Sequence, residues 1–200
     1  RDRSVSRGLG DVYKRQHENA DAKLSIARAA IPYLVPNTSI FLDAGTTVMS
    51  LVRQLPNQHY TIVTSGANIA IELSQRSRST VSCVGGQISS STLSLSGPQA
   101  EAFLATVNID TAVLAATGYS AGAGFTVGSY TENSLKRRVI QKADKVILLI
   151  DRSKLGRTLP FTFASLSDID VVICDAPLPE DFIQAARAAG TEVLQVQPAK

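Results

Sequence analysis

Two hundred residues, 44% hydrophobic and 18% charged with a mean hydropathy of +0.07, describe a soluble globular chain and exclude a disordered or fibrous one. A chain this long buries on the order of 70% of the surface its unfolded form exposes, so it needs no disulfide or metal staple. No apolar run approaches the roughly 20 residues of a membrane-spanning helix, and the basic pI near 9 has to be located before it can argue for nucleic acid.

Residues 1–16 (RDRSVSRGLGDVYKRQ) carry Arg1, Arg3, Arg7, Lys14 and Arg15 against Asp2 and Asp11, which accounts for the whole formal charge of +3. The segment has no helical or alternating apolar pattern. It reads as a translated vector or adaptor sequence, non-native or disordered, with a basic arm as the other reading. Fold reasoning therefore takes residues 17–200 as one domain, and that body is formally neutral.

From Ala20 the chain alternates helix and strand. Leu24, Ala27, Ile31 and Leu34 recur at a helical period, so a helix is predicted over Ala20–Leu34, ending at Pro36. There follow a strand at Ser39–Leu42, a helix over Thr46–Leu55, a strand at Tyr60–Thr64, a helix over Ala67–Arg76 and a strand at Thr80–Val84. A helix over Pro98–Val107, a strand at Thr111–Ala116, a helix over Glu132–Ala143 and a strand at Val146–Ile150 continue the pattern. A strand at Asp170–Cys174, a helix over Glu180–Ala189 and a strand at Glu192–Val196 complete it. The strands are short, apolar and rich in Ile and Val, the pattern of strands buried on both faces of a parallel sheet. The expected architecture is α/β: a mostly parallel, Rossmann-like open sheet with helices on both faces. The Ser-rich 88–96 and Gly-rich 118–128 stretches read as loops.

Cys83 and Cys174 lie in apolar strand-like runs and read as small core residues. Without a CxxC or a signal peptide they fit a reducing cytoplasm. His17 and His59 have no ligand spacing, so neither a metal site nor a cofactor is expected.

The segment Phe41–Thr47, FLDAGTT, runs a strand into Asp43, Gly45, Thr46 and Thr47 and then a helix. In a parallel sheet, ligands bind outside the carboxyl ends of the strands. There a glycine admits close approach of an anion to backbone N–H groups, and the helix N-terminus adds positive potential. Two readings stand at this point: a phosphate cradle, or an ordinary strand-to-helix turn with an Asp and Thr cap. Other strand ends repeat the chemistry, with Thr64-Ser65-Gly66, Gly85-Gly86, Thr117-Gly118 and Asp151-Arg152-Ser153-Lys154.

The segments FLDAGTT, TS, GG, SGPQAE, ATGYSAGAGFT, ENSLKRRVIQKADKVILLIDRSKLG and DIDVVICD resemble, in that order, the effector-sensing domain of DeoR-type bacterial transcription regulators. The likeness covers about residues 20–196 and is most specific over Lys136–Gly156. It implies a ribose-5-phosphate isomerase-like fold, a phosphorylated sugar or related metabolite as effector, a repressor's role in carbohydrate metabolism, and homo-oligomers. It also implies that DNA is contacted only through an N-terminal winged helix-turn-helix, which here is expected to be absent or replaced by the first 16 residues, with no membrane partner.

Carried over by position, the resemblance makes Asp43, Gly45, Thr46 and Thr47 the phosphate loop, with Lys23 as an anion partner. Ser65 stands where the family often has Asn. Gly85, Gly86 and Gly97 would leave room for ligand, and Asp110 and Gly118 would flank the strand over the pocket. Lys136 and Lys154 would meet the ligand, and Asp151 would orient Lys154 or accept from a sugar hydroxyl. Isomerase relatives need a carboxylate base, and Lys136 occupies its position; a protonated lysine is a poor base, so a sensor and not an enzyme is expected. Glu132, one turn earlier, keeps sugar-phosphate isomerisation as the alternative. The Gly-rich 118–128 loop is the expected element that orders around ligand.

Overall fold

Runs such as Val146–Ile150 have no polar face, so a strand made from them must be covered on both sides. The computed structural model, which describes residues 19–76 and 78–197, meets that requirement with seven parallel strands between two layers. The strands are β1 (Ser39–Leu42), β2 (Thr61–Thr64), β3 (Thr80–Cys83), β6 (Ile109–Ala115), β9 (Ala143–Ile150), β11 (Val171–Asp175) and β12 (Glu192–Val196). Their order is β12-β11-β9-β6-β1-β2-β3, and the chain reverses its direction of travel across the sheet beside β1, between β2 and β6.

Successive side chains separate cleanly between the layers. Val113, Ile147, Leu149, Val171 and Ile173 face α1 (Ala20–Ala30), α2 (Thr46–Gln54) and α3 (Ala67–Arg76). Ala112, Leu114, Leu148, Ile150, Val172 and Cys174 face α4 (Pro98–Ala105), α5 (Tyr130–Lys142) and α6 (Glu180–Ala189). This alternation is the period-two geometry of a strand applied to uniformly apolar sequence.

The second face also holds a three-stranded antiparallel sheet of β7 (Gly118–Ser120), β8 (Gly124–Val127) and β10 (Phe161–Ala164). The stretch 118–128 is therefore a hairpin and not the loop its glycines suggest. Gly124 has φ +72°, and a Cβ on it would lie 2.4 Å from the Ala164 carbonyl oxygen. A Cβ on Gly118 would lie 2.6 Å from that of Arg157. These glycines allow close strand approach. Phe125, Val127 and Phe163 carry the hairpin into the core.

The Ser-rich stretch is likewise partly ordered as β4 (Gln87–Ile88) paired with β5 (Leu95–Ser96). Four elements, Ser39–Leu42, Ala67–Arg76, Glu180–Ala189 and Glu192–Val196, have the bounds expected from sequence. Elsewhere the ends move. The first helix stops at Ala30 and tightens into a 3-10 turn over Ile31–Tyr33 where Pro32 enters. The helix starting at Pro98 ends two residues early, β6 begins at Ile109, and β9 follows α5 directly at Ala143. Residues 1–16 lie outside the described residues. Among the described residues no helix is long and apolar enough to cross a membrane, and no cluster of metal-ligating side chains occurs.

Candidate functional site

The carboxyl ends of β1, β6 and β9 meet the first turns of α2, α3 and α5 around one cleft, beside the point where the sheet order reverses. Its walls include Lys23 from α1, Gly45, Thr46 and Thr47 from the start of α2, Glu132 from α5, and Asp151 and Lys154 beyond β9.

The floor beneath α2 is built from charge. Asp43, buried at the end of β1, accepts from the Ala44 N–H (2.9 Å), the Ala115 N–H (2.9 Å) and the Ser65 hydroxyl (3.3 Å). Its fourth partner is the Lys136 ammonium. Lys136 is itself buried, donates to the Ala115 carbonyl at 2.9 Å and lies 3.5 Å from Glu132. Burial alone would favour the neutral amine, but the Asp43 and Glu132 carboxylates outweigh it and hold Lys136 above the ordinary lysine range.

Asp43 therefore has four partners within the fold. Its oxygens are spent on the loop, and neither it nor Lys136 lies in the cavity wall. Ser65 stands behind the wall too, donating to Asp43 and accepting from the Ala44 N–H at 3.1 Å. These residues hold the Ala44–Thr47 turn in shape from below.

That turn presents a helix start with no side-chain cap. The first four N–H groups of a helix lack intrahelical partners, and here Gly45, Thr46 and Thr47 of that start line the cavity, where the helix dipole adds positive potential. The Thr46 and Thr47 hydroxyls have no hydrogen bond among the described residues. Across the cavity Asp151 caps a 3-10 turn over Arg152–Lys154 through the Ser153 N–H at 3.2 Å, while its carbonyl accepts the Lys154 N–H at 3.0 Å. Asp151 so fixes the backbone that carries Lys154, whose ammonium has no ion pair among the described residues.

Five expected positions fall elsewhere. Gly86 adopts φ +92°, and a Cβ on it would lie 2.4 Å from the Ser96 carbonyl oxygen, so it serves the close approach of β5. Gly85 and Gly97 also have positive φ at turns outside the cavity wall, and Gly118 packs against Arg157. Asp110 sits at the opposite edge of the sheet, where it accepts the Ser39 N–H at 2.7 Å and joins β1 to β6. Asn68 and Thr92, absent from the sequence reading, do line the cavity. Asn68 follows the Thr64-Ser65-Gly66 strand end, so the logic applied to Thr46 would have reached it; Thr92 arrives only through the folding of the Ser-rich turn.

Comparison with known proteins places this site in a family context. Residues 18–176 match the family described as the DeoR C terminal sensor domain. The chain is 34% identical over 182 residues to the HTH-type transcriptional regulator GlpR of Haloferax volcanii, covering 90% of this chain and 71% of that protein. It is 30% identical over 175 residues to the HTH-type transcriptional repressor GlcR of Bacillus subtilis, covering 88% and 67%. Among solved structures, ribose 5-phosphate isomerase A of Methanocaldococcus jannaschii superposes with a TM-score of 0.52 at 18% identity, covering 70% of this chain and 56% of that one. The β subunit of eIF2B from Chaetomium thermophilum superposes with a TM-score of 0.53 at 15% identity, covering 76% and 48%. Those two likenesses concern the fold alone. The relatives are named as regulators, which agrees with a sensor and does not indicate an enzyme. The chain belongs to the DeoR C-terminal sensor-domain family, the sensor part of DeoR-type transcription regulators.

Proposed function

We propose that the cleft binds a phosphorylated sugar or related phosphorylated metabolite, and that occupancy controls a transcriptional repressor of carbohydrate metabolism. The observation that carries this reading is the uncapped start of α2, with two threonine hydroxyls unpartnered among the described residues, in the walls of the same cavity as Lys154. Backbone donors, hydroxyls and an ammonium together match the oxygens of a phosphate monoester. Lys136 held protonated between two carboxylates supports binding without turnover, since it is not available as a base. We place contact with DNA in a helix-turn-helix segment outside the residues described above, and the working regulator in a homo-oligomer in the cytoplasm.

Control requires that ligand prefer one arrangement of the regulator over another. Glu132 is shared between the cavity and Lys136, and Lys136 lies 5.3 Å over the Phe163 ring of β10. A ligand hydroxyl competing for Glu132 would thereby reach the three-stranded sheet, a route that replaces the ordering of a glycine-rich loop. A thermal-shift panel of sugar phosphates and inorganic phosphate tests the reading: saturation at 100 times Kd stabilises by roughly 2.7 kcal/mol. In a domain of this size that raises Tm by about 5–10 °C. A panel without any shift refutes it.

A further inference from the structure

The Asn68 amide oxygen is a buried polar atom without a hydrogen-bond partner, a condition met by no other side-chain atom among the described residues. Buried acceptors are ordinarily satisfied, so an orphan asks what it is kept for. Asn68 is the second residue of α3 and lines the cleft. Its local donors are committed elsewhere. The Ala67 N–H donates to the Leu93 carbonyl at 3.0 Å and the Leu95 N–H to that of Ser65 at 2.7 Å, which pins the Ser-rich turn over the start of α3. Within that turn Thr92 and Ser94 hydrogen-bond each other at 2.7 Å, so Thr92, though also in the cavity wall, has a partner of its own.

We propose that Asn68 is a specificity-determining residue whose Oδ1 accepts a hydroxyl proton from the carbon chain of the effector. The proposal rests on the phosphate reading above and adds a requirement to it: the effector must offer a hydroxyl where Asn68 stands, beyond the anion cradle at α2. A hydroxyl suits this donor role better than an ammonium, because Lys23 and Lys154 already place two cationic side chains in the same walls. A site with a buried acceptor also rejects the analogue lacking the matching donor, because the acceptor is then left unpaired.

The test uses wild type, Asn68→Leu and Asn68→Ala, the alanine separating loss of the acceptor from any blockage by leucine. Because Oδ1 has no partner in the free protein, the unliganded Asn68→Leu variant is expected to melt at or above the wild-type temperature. Calorimetric titration then compares inorganic phosphate, ribose 5-phosphate, glucose 6-phosphate and deoxy analogues of the two sugars. Wild type should favour a hydroxylated compound over one of its deoxy analogues by about tenfold or more, and both variants should bind that pair within about twofold of each other. Inorganic phosphate should bind all three proteins within about twofold, since it reaches only the cradle. A clear fall in the unliganded melting temperature of Asn68→Leu would overturn the proposal, as would discrimination retained in the variants or equal weakening of phosphate and sugar phosphate. Binding of inorganic phosphate without any sugar phosphate sinks the role of Asn68 while leaving the cradle standing. Binding of no phosphate compound removes both.

Discussion

Replacing Lys136 with methionine, close in size and without charge, tests whether the buried ion cluster holds the floor of the cleft. The ammonium bridges Asp43 and Glu132 and also donates to the Ala115 carbonyl, so Lys136→Met leaves a buried carboxylate without its countercharge. Breaking a buried pair from one side costs about 3–5 kcal/mol. Asp43 keeps two backbone N–H donors and the Ser65 hydroxyl, which favours the lower end, about 3 kcal/mol. For a chain of this length that is a fall in Tm of about 6–12 °C, measured on unliganded protein by calorimetry and by urea titration. The double variant Asp43→Asn, Lys136→Met should recover part of the loss, because it removes the stranded charge. The folded-state pKa of Lys136 is raised above its ordinary 10.5, so its contribution is full below that value and is lost as pH climbs through the higher folded value. The stability gap between wild type and Lys136→Met should accordingly stay constant from neutral pH to about 10 and narrow only above it. A Lys136→Met variant within about 1 kcal/mol of wild type, or a gap that closes below that range, would refute the reasoning.

Thr46→Val and Lys154→Ala should each weaken inorganic phosphate binding by about tenfold while leaving unliganded stability within about 0.5 kcal/mol, because neither polar group has a partner among the described residues. Loss of stability without loss of affinity would mark them as structural. Gly124→Ala, with φ +72° and a Cβ 2.4 Å from a carbonyl oxygen, should destabilise by at least about 2 kcal/mol, whereas Gly156→Ala, with φ +75° and open space, should lose only about 1 kcal/mol. Equal losses in urea titrations would show that backbone conformation alone sets both. The Tyr33 hydroxyl donates to Glu192 at 2.7 Å, and that bond, burial and the carboxylate charge push its pKa up to about 12. Ultraviolet titration, with Tyr33→Phe subtracted, should place it there, and Glu192→Gln should return it towards 10. The folded value being the higher one, this bond's contribution is present below pH 10 and lost as pH approaches 12.

The parallel sheet was legible because its strands lack a polar face, a condition that few other arrangements satisfy. Val146–Ile150 and Val171–Cys174 announce burial on both sides without reference to any partner. The three-stranded sheet was not legible. Residues 118–128 contain glycines at positions where local reasoning reads freedom, while the actual requirement at Gly118 and Gly124 is for room against Arg157 and Ala164, about forty residues on in sequence. A demand set by so distant a segment has no local signature, and Phe161–Ala164 is too short to supply one for itself.

The candidate site divides along a similar line. Residues that belong to the turn following a strand, Gly45, Thr46, Thr47, Asp151 and Lys154, all reach the cleft, because the polarity of a parallel sheet brings those turns to one edge. Asp43 and Lys136 lie in the neighbourhood expected for them, but they pair with each other below the cavity wall. A strand-end carboxylate looks ligand-facing until the lysine ninety-three positions later is seen to neutralise it, and a Lys-Arg-Arg run gives no hint that its first member is buried. The consequence for function is specific. With Asp43 and Lys136 paired below the loop, the groups left to meet the anion we propose are the backbone N–H groups at the start of α2 and the Lys154 ammonium.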